Sequence, residues 1–215
     1  MKRYKKNENE QSEATAPSPT GRVRGGSARL LDIEAAIKVL RQGGTILYPT
    51  DTIWGIGCDA TNAEAVKKVF AIKQREDSKA LICLVDSPGR LQRYIRFVPD
   101  VAWDIIDLAT KPTTVILSGA SGLAPNLLAE DGSVGLRVTS EVFSQQLCYR
   151  FQKAIVSTSA NISGQPSPQT FADIDPAIIN AVDYVCLSRQ RDTSRHEPSS
   201  IIKLSPKGEV TIIRQ

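Results

Sequence analysis

Apolar residues fall at helical spacing from Leu30 onward. Leu31, Glu34–Ala35 and Ile37–Leu40 trace a short amphipathic helix that Gly43-Gly44 stops. Thr45–Tyr48 then reads as a strand running into a loop, Pro49-Thr50-Asp51-Thr52. Ala63–Gln74 is a second helix with Val66, Val69 and Phe70 on one face. Ala80–Val85 is a continuous apolar run and predicts a buried strand, followed by helices over Pro88–Ile95 and Val101–Leu108. Strands are predicted at Thr114–Leu117, Ser133–Val138 and Ala154–Ser157, with a helix near Glu141–Arg150. Asp183–Leu187, Ser200–Leu204 and Val210–Ile213 complete the strands. Helices and strands alternate, yet some strands are joined by short hairpin-like links, so the expected architecture is α/β with a mixed sheet. There is no internal repeat, and one compact domain over 29–215 is expected.

Residues 1–28 break this pattern. They are rich in Lys, Glu, Ser, Thr, Pro and Gly, and they lack the aliphatics that would offset ordering entropy, so a disordered basic tail is expected. The tail also changes how the net charge of +4 is understood. Six Lys/Arg and three Glu lie within it, leaving a net of +1 on the domain. A domain so near neutrality is not built to coat nucleic acid, although it can hold a local basic pocket. The tail itself reads either as an inert solvated segment or as an electrostatic arm that touches RNA.

Of 215 residues, 41% are hydrophobic, enough for one sizeable core. No run approaches the ~18 apolar residues of a membrane span, and the polar N-terminus has no secretory apolar region. The four cysteines (Cys58, Cys83, Cys148, Cys186) contain no CxxC pair, which argues against a disulfide framework or structural zinc and for a cytoplasmic location. The one histidine, His196, makes a Ser-His-Asp relay improbable and removes most metal sites.

Three segments look shaped by something other than packing. Tyr48-Pro-Thr-Asp-Thr-Ile-Trp-Gly-Ile-Gly57 follows a strand and carries hydroxyls suited to orienting a polar ligand; an ordinary turn is the competing reading. Lys73-Gln-Arg75-Glu-Asp-Ser-Lys79 offers cations where the second helix ends, with Lys73 and Arg75 on one side if the backbone is extended. It reads as a site for an anion such as a triphosphate, or as cations favouring a helix dipole. Val156-Ser-Thr-Ser-Ala-Asn-Ile-Ser-Gly164 supplies four hydroxyls and a carboxamide without metal-ligand chemistry. Neither a Walker A loop nor GxGxxG is present. Residue chemistry alone reaches an anionic small-ligand pocket on an α/β domain.

In combination the segments resemble the YrdC-type threonylcarbamoyl-AMP synthase family in its single-domain form. The resemblance is carried by Tyr-Pro-Thr-Asp-Thr-x-Trp-Gly-x-Gly (48–57), Lys-x-Arg with a further Lys (73–79), Ser-Val-Gly-Leu-Arg-Val (133–138) and Ser-Ala-Asn-Ile-Ser-Gly (159–164), in order across about residues 31–214. It implies a YrdC/RibB-like fold, a twisted mixed sheet with flanking helices around a positively charged cavity. It also implies a nucleotidyltransferase reaction in which L-threonine, bicarbonate and ATP give threonylcarbamoyl-AMP and pyrophosphate. A separate transferase complex would then modify tRNA adenosine 37.

By the same resemblance the catalytic tetrad falls on Lys73, Arg75, Ser159 and Asn161. Thr52, Arg137 and Ser199 match threonine-binding positions. Lys73, Arg75, Lys79, Ser133, Asn161 and Arg214 match ATP-binding positions. Mg²⁺ would arrive with ATP, and no dedicated protein metal site is expected. Some relatives have a histidine where this chain has Leu84, and their usual Pro-Gly-Pro appears here as Thr110-Lys-Pro-Thr-Thr114. The alternative is a double-stranded RNA- or tRNA-binding regulator that kept the fold and lost the chemistry. A carbamoyl-adenylate module acting on another acceptor is a third reading, but such modules normally carry zinc-finger cysteines.

Overall fold

The computed structural model describes residues 22–74 and 81–215. The elements, in chain order, are α1 (Arg22–Arg41), β1 (Ile46–Tyr48), β2 (Gly55–Gly57), α2 (Ala63–Lys73), β3 (Ile82–Val85), α3 (Asp100–Leu108), β4 (Thr113–Leu117), β5 (Val134–Val138), α4 (Val142–Phe151), β6 (Ile155–Ser159), α5 (Pro176–Ala181), β7 (Tyr184–Val185), β8 (Ser200–Leu204) and β9 (Val210–Arg214). Nine strands form one sheet in the order β7-β1-β2-β6-β3-β5-β4-β8-β9. The β1–β7, β3–β5 and β4–β8 pairs are parallel and the rest antiparallel, which is the mixed sheet expected from the linkers.

Several elements differ from the sequence pattern for local reasons. Of the expected tail, residues 1–21 lie outside the described residues, and 22–28 form the first two turns of α1. The Pro88–Arg93 segment is a 3₁₀ helix, and Ile95 beyond it makes an isolated bridge with Ala120. The loop expected over 48–57 contains a strand, β2, paired on both sides. Its glycines obscure it in sequence but are required in the sheet. A Cβ on Gly57 would sit 2.6 Å from the Val156 carbonyl oxygen and 2.7 Å from the Tyr48 ring. The short α5 was not anticipated, although Asp175-Pro176 starts it conventionally, with the Asp175 side chain accepting from Ala177 N.

The two faces of the sheet are covered unequally, and this positions the site. Leu47, Ile56, Cys83, Val85, Val115, Leu136 and Val156 point to one face and join Val66, Val69 and Phe70 of α2 in the larger core. On the other face, Ile46, Tyr48, Leu84 and Ile155 meet Ile37 and Leu40 of α1 and Phe143, Leu147 and Phe151 of α4. That second cluster covers only part of its face. Alternation along the strands brings Gly55, Gly135, Arg137, Ser157 and Ser159 to the uncovered part. Small and polar residues there leave a trough in place of a core. All four cysteines are free and buried.

Helix ends fix the loops around the trough. Asn62 caps α2 by accepting from Glu64 N and Ala65 N, and α2 closes at Gln74 with φ of 49°. Glu141 caps α4 in the same manner through Phe143 N and Ser144 N. Among the described residues no helix is long and apolar enough to cross a membrane.

Candidate active site

The trough deepens into a cleft of about 260 Å³ between the β2–β6 edge and β8. Its polar lining comes from Thr52, Arg137, Ser157, Thr158, Ser159, Ser167, Ser199 and Arg214; Ile53, Trp54, Leu81, Ile82 and Ile201 supply apolar walls. None of the described residues lining it is acidic, so the two arginines make it a positive recess, as the resemblance implied.

Arg137 is its deepest charge. The β5 alternation points the side chain into the cleft, where only 3% of it is exposed. Nη2 donates to Thr52 Oγ1 at 3.2 Å and lies 3.0 Å from Asp51 Oδ1. That second approach is a close ion pair, and it is shielded from solvent, the Asp51 side chain being buried with it. Burial raises the Asp51 carboxyl above its ordinary value, outweighing the pull of Arg137 in the other direction. The Thr50–Thr52 turn is held from within. Thr52 N donates to Thr50 Oγ1 at 3.1 Å, and Thr50 Oγ1 donates to Ile53 O at 2.8 Å. From outside, Arg189 Nη1 donates to Thr50 O at 2.9 Å.

On the opposite wall, Ser199 Oγ and Thr114 Oγ1 are 2.9 Å apart, and the Arg214 guanidinium donates to Ser199 O at 2.9 and 2.7 Å. Desolvation and the like charge of Arg137 both pull the Arg214 pKa down. The two guanidiniums thus share one field, an arrangement that favours an anion between them.

Lys73 sits differently from the pattern expected of it. It is the last residue of α2, not part of an extended segment, and is 2% exposed. Its ammonium donates to Ser159 O at 2.6 Å, Asn161 O at 2.8 Å and Asn161 Oδ1 at 3.3 Å. Asn161 Nδ2 turns away to Ile162 O and Gln165 O. The structure therefore unites Lys73, Ser159 and Asn161, with Ser159 lining the cleft and the other two holding the loop behind it. Arg75 and Lys79 lie outside the described residues. Ser133 stands apart from the cleft, its hydroxyl donating to Asp131 Oδ1 at 2.5 Å. Leu84 also stays away, wholly buried in the core beneath α1 and α4.

Sequence reasoning singled out the segments holding Trp54, Ser157 and Thr158 but gave these residues no role. Ser167 and Ile201 carried no signal, because chain folding alone brings them to the cleft.

A family model for Sua5/YciO/YrdC, described as telomere recombination, matches residues 38–215. The threonylcarbamoyl-AMP synthase of Pseudoalteromonas translucida is 36% identical over 155 residues, covering 71% of this chain and 83% of that one. In fold the chain is similar to E. coli YciO, with a TM-score of 0.75 and 24% identity over 87% of this chain and 89% of that one. It is similar also to the P. abyssi Sua5 protein crystallised with L-threonine, with a TM-score of 0.74 and 24% identity over 85% of this chain. It spans only 53% of that longer chain. With residues 38–215 matched by the family model and its fold shared with these structures, the chain belongs to the Sua5/YciO/YrdC family.

Proposed function

We propose that this chain is a threonylcarbamoyl-AMP synthase, forming threonylcarbamoyl-AMP and pyrophosphate from L-threonine, bicarbonate and ATP for tRNA adenosine 37 modification. The observation that carries the reading is the buried Arg137 bonded to the Thr52 hydroxyl, facing Arg214 across a cleft with no acid among its described lining residues. The relatives that share the domain bear that enzyme's name.

The chemistry suits the residues. Arg137 receives the threonine carboxylate as a guanidinium fork, and Thr52 meets the threonine hydroxyl. Threonine N-carboxylation gives a carbamate anion, whose oxygen attacks the α-phosphorus as the bond to pyrophosphate breaks. An anionic nucleophile needs no histidine base, so the protein's work is positioning and charge stabilisation. Arg214 and the Ser157–Ser159 hydroxyls take the phosphate side, with Arg75 and Lys79 assigned to the same side by the motif they occupy. Mg²⁺ would arrive with ATP, held by the phosphates and by cleft hydroxyls such as Ser157 and Ser159, and would supply charge neutralisation for the departing pyrophosphate. A separate transferase complex carries the product to tRNA.

Mass spectrometry of the adenylate, with pyrophosphate release measured with and without threonine and bicarbonate, tests the proposal. Release that depends on both supports it. Double-stranded RNA binding with no adenylate under any condition would replace it with the regulator reading.

A further inference from the structure

We propose that Arg189 is a positioning residue for the threonine side of the cleft, one guanidinium that ties the Thr50–Thr52 turn to the N-terminus of α4 and to the chain leading into Ser199. What the turn binds rests on the synthase reading above; how the turn is held rests on bonds in the structure. Arg189 follows β7, belongs to none of the sequence motifs and does not line the cleft.

Each nitrogen of its side chain has work. Nη1 donates to Thr50 O at 2.9 Å and lies 3.7 Å from Glu141 Oε1, the carboxylate that caps α4. Nε and Nη2 both donate to Asp192 Oδ2, at 3.0 and 2.8 Å, and Nη2 is 3.4 Å from His196 Nε2. Asp192 is itself held, its Oδ1 accepting from Ser194 N at 2.9 Å. His196 stands just before Pro198-Ser199, which form part of the cleft wall. On the inner side of the turn, Thr50 Oγ1 and Thr52 Oγ1 are 3.0 Å apart, and Thr52 Oγ1 accepts from Arg137. A guanidinium outside the cleft thus sets where the Thr52 hydroxyl stands within it. The gap among Arg189, His196 and the turn is about 10 Å³, too small for a ligand, so Arg189 acts on the turn and not as the edge of a second site.

Two features distinguish Arg189 from an ordinary surface cation. Its planar fork meets a carbonyl and a carboxylate in different directions at once, which the point charge of a lysine does not reproduce. Its backbone has φ of 62°, a left-handed conformation that costs any residue with a Cβ and that glycine takes freely. The chain keeps a long cationic side chain where the backbone alone favours glycine.

Arg189→Gly separates the two, since it relieves the backbone and removes the guanidinium. In steady-state kinetics of adenylate formation, KM for L-threonine should rise about tenfold or more, the loss of a bond from a charged donor, while KM for ATP moves by less than about twofold. Because Arg189 acts through the turn, Arg189→Gly should add less than about threefold in a Thr52→Val background. Trp54, two residues beyond Thr52 and 6% exposed, reports on the turn without catalysis. With Trp103→Phe in both proteins, acrylamide should quench its fluorescence more strongly in Arg189→Gly. Equal rises in the two KM values, full additivity with Thr52→Val, or unchanged Trp54 quenching would overturn the proposal. Failure of the synthase reading would look different, as no adenylate from the wild type while Arg189→Gly still exposes Trp54.

Discussion

Lys73 and Asn161, 88 positions apart in sequence, are bonded twice. The ammonium donates to the Asn161 main-chain oxygen at 2.8 Å and to its Oδ1 at 3.3 Å, and it also donates to Ser159 O at 2.6 Å. A buried cation at the end of α2 thereby fixes the end of β6 and the loop that follows it.

Lys73→Met is accordingly expected to do two things. It strips a charged donor from three oxygens in a buried setting, lowering stability by ~1–3 kcal/mol in urea denaturation. It also lets the Ser159 loop drift, cutting adenylate formation ~10²-fold or more. An unchanged urea midpoint with lost activity would show that the ammonium acts on the ligand and not on the loop.

Thr52→Val keeps shape and removes the hydroxyl that Arg137 donates to. Loss of a bond to a charged group corresponds to ~1.5–3 kcal/mol, so kcat/KM for L-threonine should fall by about one to two orders of magnitude. Kinetics at varied threonine and saturating ATP read this directly, and a fall confined to the ATP dependence would remove Thr52 from the threonine side.

Preference for L-threonine over L-serine depends on one methyl group. Leu84 does not reach the cleft, so the apolar wall available to that methyl includes Ile53 and Ile82. A methyl contact supports roughly 10–200-fold discrimination. Ile53→Ala should reduce the preference severalfold in competition assays read by mass spectrometry, and an undiminished ratio would place the methyl elsewhere.

The fold was legible wherever the apolar period was clean. Val66, Val69 and Phe70 announced α2, and the run ending at Val85 announced β3. It was illegible where the sheet required residues with no side chain. Gly55 and Gly57 read as loop, yet any Cβ at Gly57 would collide with the strand beside it. The site divided in a similar manner. Thr52, Arg137, Ser159, Ser199 and Arg214 all line the cleft, Arg137 and Ser159 through strand alternation and Thr52 and Ser199 from the loops beside β2 and β8. Sequence reasoning could not see that Lys73 would donate to the main-chain oxygens of Ser159 and Asn161, since main-chain acceptors leave no mark in a sequence. Nor could it see that Asp51 would be buried against Arg137, a contact made by chain folding alone.

Gly57→Ala carries this into a measurement. Its Cβ would meet a carbonyl oxygen at 2.6 Å, and strand shifts to relieve that contact should lower stability by ~1–3 kcal/mol. Gly89→Ala, with nothing within 4 Å of the added atom, is the control and should change the melting temperature little.

The Asp51 carboxyl sets a pH dependence of known sign. Its native pKa is raised from 3.8 by burial, with Arg137 opposing and Glu141 assisting. The native state then holds this proton more tightly than the unfolded chain. The stability it contributes is complete below the ordinary carboxylate value and is lost as pH rises through the raised one. The melting temperature of the wild type relative to Asp51→Asn should therefore decline from about pH 4 towards neutrality. A difference that is flat or grows with pH would mean that Arg137 holds the carboxylate ionised.

The four buried thiols have an unused consequence. Cys58 and Cys83 lie in the core of the covered face, Cys148 and Cys186 in the smaller one beneath α1 and α4, and burial pushes all four pKa values up. Thiolate is the reactive form, so native protein should resist alkylation almost completely. Each sulfur becomes a clock for the opening of its own layer. Pulsed alkylation read cysteine by cysteine would then reveal whether the two layers come apart together or the thinner one, which leaves room for the cleft, lets go first.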